Sequence, residues 1–159
     1  SMNLGVKLEK MLYGMWSPHK VKLAVSGCPR NCAESGIKDI GVIGVDSGYE
    51  LYIGGNGGIK TEVAQFFCKV TNDDEVMEYG GAFIQLYREE GFYLERTCHY
   101  LERVGMEHIK QNVLEDAGKR KALYEKLLFA LQNYKDPWAE IFEDKSGGKL
   151  KRDFELIKV

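Results

Sequence analysis

The chain has 159 residues, with 22 Lys and Arg set against 24 Asp and Glu for a formal charge of −2, and 44% hydrophobic and 11% aromatic residues. That is enough for one globular domain with a real core, and the balanced charge excludes a partner bound through a broad basic surface, nucleic acid included. No apolar run of about 18 residues and no signal-peptide pattern occurs, which argues against a membrane-spanning or exported chain; free thiols persist in a reducing compartment, so the cytoplasm is expected.

Leu4, Leu8, Leu12 and Met15 recur every three or four residues and predict an amphipathic helix that stops before Pro18. The alternating run 21–25 predicts a strand. In Ser26-Gly27-Cys28-Pro29-Arg30-Asn31-Cys32, Gly27 permits a sharp turn and Pro29 suits the first position of a helix, so Cys28 and Cys32 are expected one helical turn apart on the same side. A helix start there would favour thiolate and an anionic cluster. Taken alone, the C-x3-C spacing fits an iron site, a redox pair or half of a zinc site.

Runs 40–45 and 49–53 predict two strands of a hairpin turning at Asp46-Ser47-Gly48, making three strands in all. Gly54-Gly55-Asn56-Gly57-Gly58 reads either as a tight connection or as a loop whose N–H groups meet an anionic ligand. Beyond Lys60 the pattern predicts helices: a short one at 61–70, and a longer one reaching Glu90 with N-cap chemistry in Thr71-Asn72-Asp73-Asp74-Glu75. Helices at 93–104 and 117–133 follow, the last with Leu123, Leu127, Leu128 and Leu131 on one face. The expected fold class is therefore α+β, a small β-sheet with a hairpin followed by several packed helices, with 1–143 as the domain and 144–159 as a flexible tail. His19, which reads as exposed, and His99 and His108 are too scattered for a zinc spacing, and Glu95-Arg96 and Glu102-Arg103 read as a solvated helical face.

The segments SGCPRNCAE, DIGVIGV and LYIGGNGGIK resemble the second half of the sirohaem and 4Fe-4S module of the nitrite and sulfite reductase family. The similarity continues through LERTCHYLERVGMEHIK and KALYEKLLFALQ to about Pro137-Trp138, and within the family it points to the large subunit of assimilatory NAD(P)H-dependent nitrite reductases. The resemblance implies a cluster held by an upstream C-x5-C pair and a downstream C-x3-C pair, whose last thiolate also bridges to sirohaem iron. By it, Cys28 is a cluster ligand and Cys32 the shared one, Arg30 and Asn31 lie beside the macrocycle, and Asn56, Gly57 and Lys60 contact sirohaem. Cys68 and Cys98, in runs read as helical, match no part of the upstream pair and are expected to pack as small hydrophobes.

The implied activity of the whole enzyme is reduction of nitrite to ammonia with electrons from NAD(P)H through FAD. Those cofactors are expected upstream, because no G-x-G-x-x-G fingerprint occurs here. A small subunit is the implied protein partner. Ser1-Met2 resembles a scar of tag removal, so an excised C-terminal piece is expected, binding neither iron cofactor and inactive by itself. The alternatives are a sulfite reductase of the same family and a non-enzymatic redox or zinc-binding module.

Overall fold

The computed structural model describes residues 2–132 and 134–143. Helix α1 (Met2–Leu12) buries Leu4, Leu8 and Met11. It ends a turn before Met15, which still packs partly buried against the same core. The strands are β1 (Leu23–Ser26), β2 (Ile40–Val45), β3 (Gly48–Ile53), β4 (Asn56–Gly57), β5 (Thr61–Glu62) and β6 (Gln65–Val70). Four of them form one sheet in the order β1-β2-β3-β6, while β4 and β5 make a separate small hairpin.

β2 and β3 form the expected hairpin, closing at the pair Val45 and Gly48. β1 runs parallel to β2, with Leu23 beside Ile40 and Ser26 beside Ile43. A parallel pair needs a crossover, usually a helix. Here the crossover carries the two cysteines and contains only turns and a short 3-10 turn, Ser35–Ile37.

One face of the sheet presents Ile40, Val42, Leu51 and Ile53 to a core shared with α1 and with α2 (Asp73–Glu90). The start of α2 is as the sequence indicates. Asn72 accepts from the Glu75 N–H at 3.0 Å, and the Glu75 carboxylate accepts from the Thr71 N–H at 2.6 Å, which holds that carboxyl below its usual range. The remaining helices are α3 (Thr97–Val104), α4 (Met106–Lys110), α5 (Ala117–Leu131) and α6 (Pro137–Glu143), with a π-helical turn at Gln111–Glu115 after α4. A Cβ on Gly81 of α2 would come within 2.7 Å of the Tyr124 ring of α5, so glycine lets these two helices approach closely. Arg120 of α5 donates to the carbonyls of Val113 and Leu114 and to Glu78, satisfying acceptors that the wide turn leaves open.

Three expectations need correcting here. Residues 61–70 form β5 and β6 rather than a helix. The run Gln65-Phe66-Phe67-Cys68-Lys69-Val70 is too short for its period to decide, and pairing with β3 settles it as a strand. Cys68 therefore lies in a strand. Helix α3 begins at Thr97, not 93, because Leu94 takes a left-handed φ of 64° before it. The Glu95-Arg96 pair is not solvated: Arg96 is buried against Asp39, while Glu95 binds Arg103 at 2.8 Å. The expected tail, 144–159, lies outside the described residues.

Asp39 sits at the start of β2 with no solvent exposure. Its Oδ2 accepts from the Lys22 N–H and from the Arg96 guanidinium, each at 2.8 Å, and its Oδ1 accepts from the Thr97 hydroxyl. Its main-chain carbonyl accepts from Gly54 N–H at 3.1 Å. One residue thus joins the entry to β1, the end of the crossover, the glycine loop and the start of α3. Removing one member of a buried ion pair typically costs about 3–5 kcal/mol because the other charge is stranded. Asp39→Ala is expected to lose about that much in urea denaturation, and a loss below about 1 kcal/mol would remove Asp39 from this role.

Candidate iron-ligating turn

The crossover between β1 and β2 is built of two successive turns. Asn31 N–H donates to the Cys28 carbonyl at 3.1 Å, and Glu34 N–H donates to the Asn31 carbonyl at 2.9 Å. Asn31 and Glu34 take φ values of 54° and 56°, in the left-handed region. A left-handed residue cannot continue a right-handed helix, so no helix starts at Pro29. The expected helix-dipole support for the thiols falls with it. What survives is the presentation of Cys28 and Cys32 by one short crossover, with both residues exposed.

Beneath the turns lies a polar network that the sequence reading missed. Ser26, only 3% exposed, bonds Asn31 Oδ1 at 3.2 Å and the Ser35 hydroxyl at 2.9 Å, and accepts from Ala33 N–H at 3.3 Å. Ser35, fully buried, also donates to the Ala24 carbonyl at 3.2 Å, and Gly36 N–H donates to Asn31 Oδ1 at 3.3 Å. The crossover lies directly on β2. A Cβ on Gly41 would meet the Ser35 carbonyl oxygen at 2.0 Å, and one on Gly44 would meet the Gly27 oxygen at 2.7 Å. The glycines of DIGVIGV therefore make room for the cysteine-bearing backbone.

A cavity of about 440 Å³ opens beside the turn, lined by Gly27, Cys28 and Pro29 on one wall and by Gly44, Asp46 and Tyr49 on another. Arg30 is exposed and has no ion-pair partner among the described residues.

The other expected contact residues stand elsewhere. Cys28 follows Ser26, which pairs with Ile43, whereas the glycine loop follows Ile53, which pairs with Ile40, so the two lie toward opposite ends of the sheet. The N–H groups of Gly54 and Gly55 are already spent on the carbonyls of Asp39 and Lys38. Asn56 Nδ2 donates to the Lys60 carbonyl at 2.9 Å, closing the β4–β5 hairpin, and the Lys60 ammonium pairs with Glu62 at 2.9 Å. Lys60 leads directly into strand β5 (Thr61–Glu62), not into a helix. The second half of the crossover joins these regions: the Gly36 carbonyl accepts from Ala64 N–H at 2.8 Å, and Gly57 packs close to Ile37.

Cys68 and Cys98 are withdrawn from this surface, and burial pushes both thiols up, that of Cys68 to about 12. His108 pairs with Glu90 at 2.9 Å, His99 is exposed, and His19 is half-buried rather than exposed. None of the three joins the thiols in a metal-holding group among the described residues.

Residues 2–121 match the nitrite and sulphite reductase 4Fe-4S domain, and the chain belongs to that family. It is 54% identical over 149 residues to the NAD(P)H nitrite reductase of Bacillus subtilis, a match covering 94% of this chain and 18% of that relative. The NAD(P)H nitrite reductase large subunit of Klebsiella oxytoca is 33% identical over 147 residues, covering 91% of this chain and 15% of the relative. The assimilatory-type sulfite reductase of Nitratidesulfovibrio vulgaris is 33% identical over 114 residues, covering 72% and 52%. The chain thus spans less than a fifth of the length of the two nitrite reductases. The solved structure of the Mycobacterium tuberculosis NirA protein superposes with a TM-score of 0.53 at 20% identity, over 68% of this chain and 22% of that one, and supports the α+β fold.

Thiolate, not thiol, attacks an alkylating agent, so burial and pKa together set reactivity. Brief iodoacetamide treatment of the folded chain near pH 8 is expected to label Cys28 and Cys32 at least tenfold faster than Cys68, read by peptide mass spectrometry. Equal labelling of all four would contradict the placement described above.

Proposed function

We propose that this chain provides the downstream half of the 4Fe-4S and sirohaem site of an assimilatory NAD(P)H-dependent nitrite reductase. The observation that carries the reading is the 54% identity to the B. subtilis NAD(P)H nitrite reductase across 94% of this chain, a span that includes the exposed thiol pair. The donor chemistry fits: thiolates are the ligands of iron–sulfur clusters, which take four. Cys28 and Cys32 would supply two, with Cys32 also bridging to the sirohaem iron, and the remaining two would come from the rest of the reductase.

When bound, the linked iron centres supply electrons and the metal at which nitrite is reduced to ammonia. The residues of this chain ligate, orient and attract. Arg30, beside both cysteines, offers a cation to the carboxylates of the macrocycle or to the anionic substrate, where a charge-assisted hydrogen bond contributes about 1.5–3 kcal/mol. Lys60 can do the same by leaving Glu62, because its side chain is 83% exposed and such surface pairs hold weakly. Asn31, Asn56 and Gly57 complete the proposed contacts. NAD(P)H and FAD belong to the rest of the reductase in this reading, a small subunit is its partner, and the cytoplasm is its compartment, where thiols stay reduced. Nitrite is favoured over sulfite because identity to the B. subtilis nitrite reductase exceeds the 33% to the sulfite reductase.

Cys28→Ser or Cys32→Ser in the full-length reductase is expected to abolish ammonia formation from nitrite while NAD(P)H oxidation by an artificial acceptor stays within twofold. Nitrite reduction retained by the Cys32→Ser enzyme would contradict the bridging role.

A further inference from the structure

Ser26, Asn31 and Ser35 form the polar network beneath the thiol-bearing turns, and none of the three carries a thiol. We infer that they are positioning residues which hold Cys28 and Cys32 in their ligating arrangement before any metal arrives; this rests on the proposed role of the two cysteines as iron ligands.

The geometry is that of a clamp. Ser26 stands at the end of β1, fixed by its pairing with Ile43, and it contacts the crossover at three points: Asn31 Oδ1, Ala33 N–H and the Ser35 hydroxyl. Asn31 lies between the cysteines in a left-handed conformation that most residues avoid, and its Oδ1 is held from both sides by Ser26 and by Gly36 N–H. Ser35 closes the loop onto the sheet through the Ala24 carbonyl. The two hydroxyl hydrogens can fill two of the three contacts, Ser26 to Asn31, Ser26 to Ser35 and Ser35 to Ala24, at any one time, while Ser26 Oγ and Asn31 Oδ1 still accept from the Ala33 and Gly36 N–H groups. Both serines are buried, where a lost partner is not replaced freely by water.

A clamp of this kind acts on affinity. If the ligating conformation falls from nearly all to about a tenth of the population, apparent affinity falls about tenfold. Cadmium ion alone is a suitable probe of the thiol pair, followed by thiolate-to-metal charge-transfer absorbance on the anaerobic chain. The wild type is expected to bind one cadmium in a manner lost in Cys28→Ser and Cys32→Ser. Ser26→Ala and Asn31→Gly, the latter keeping the left-handed turn accessible, are each expected to weaken binding about tenfold with folding confirmed by thermal melting.

Should Ser26→Ala fail to fold, Asn31→Gly still decides the matter. Cadmium bound through Cys28 and Cys32 with less than a twofold loss in the folded clamp variants would overturn the clamp and leave the ligand assignment standing. A wild type that takes no cadmium through these cysteines would overturn both.

Discussion

The carboxylate of Asp39 is the point on which this arrangement depends. It is fully buried, and an ionised carboxylate survives burial only when its oxygens are met by donors. Those donors come from two places far apart in the chain: the main chain of Lys22, and the guanidinium and hydroxyl of the neighbouring residues Arg96 and Thr97. The residue thereby fixes where the crossover ends and β2 begins, and it holds α3 against that junction. Arg96 Nε has no hydrogen-bond partner among the described residues, so the guanidinium is held through its bond to Asp39 Oδ2.

The second constraint is the absence of a helix from the crossover. A helical connection would satisfy its own backbone and bury one side of itself. Turns leave backbone groups to be satisfied by side chains, and here Ser26, Asn31 and Ser35 meet that demand from below while Cys28 and Cys32 remain at the surface. Glycines at 41 and 44 allow the backbone of the crossover to lie on β2 without an intervening side chain. Rigid support below and free thiols above suit a ligand set that must be ready for a large inorganic group, which belongs to the function proposed for the chain.

Local features were readable from the sequence. The hairpin at Asp46-Ser47-Gly48, the capped start of α2 at Asn72 and the cysteine spacing all depend on neighbours within a few residues. Features set by distant partners were not. Strand β6 is fixed by β3, and the turn at Asn31 is fixed by Ser26 and Gly36 against the local preference of Pro29 for a helix start. Arg96 looked like one of many surface charges because its partner Asp39 lies 57 residues away. Within the candidate site, the shared exposure of Cys28 and Cys32 follows from their closeness in sequence, whereas the hydrogen bonds by which the Gly54 to Lys60 segment ties itself to its own hairpin and to the crossover depend on the fold.

Iron ligation by the turn between β1 and β2 is read from metal content. Iron, acid-labile sulfide and FAD should be quantified per chain in the full-length reductase purified anaerobically, as wild type and as Cys28→Ser. The variant is expected to lose the cluster's iron and sulfide while FAD stays at the wild-type level. A Cys28→Ser enzyme carrying the full complement of iron and sulfide would contradict it.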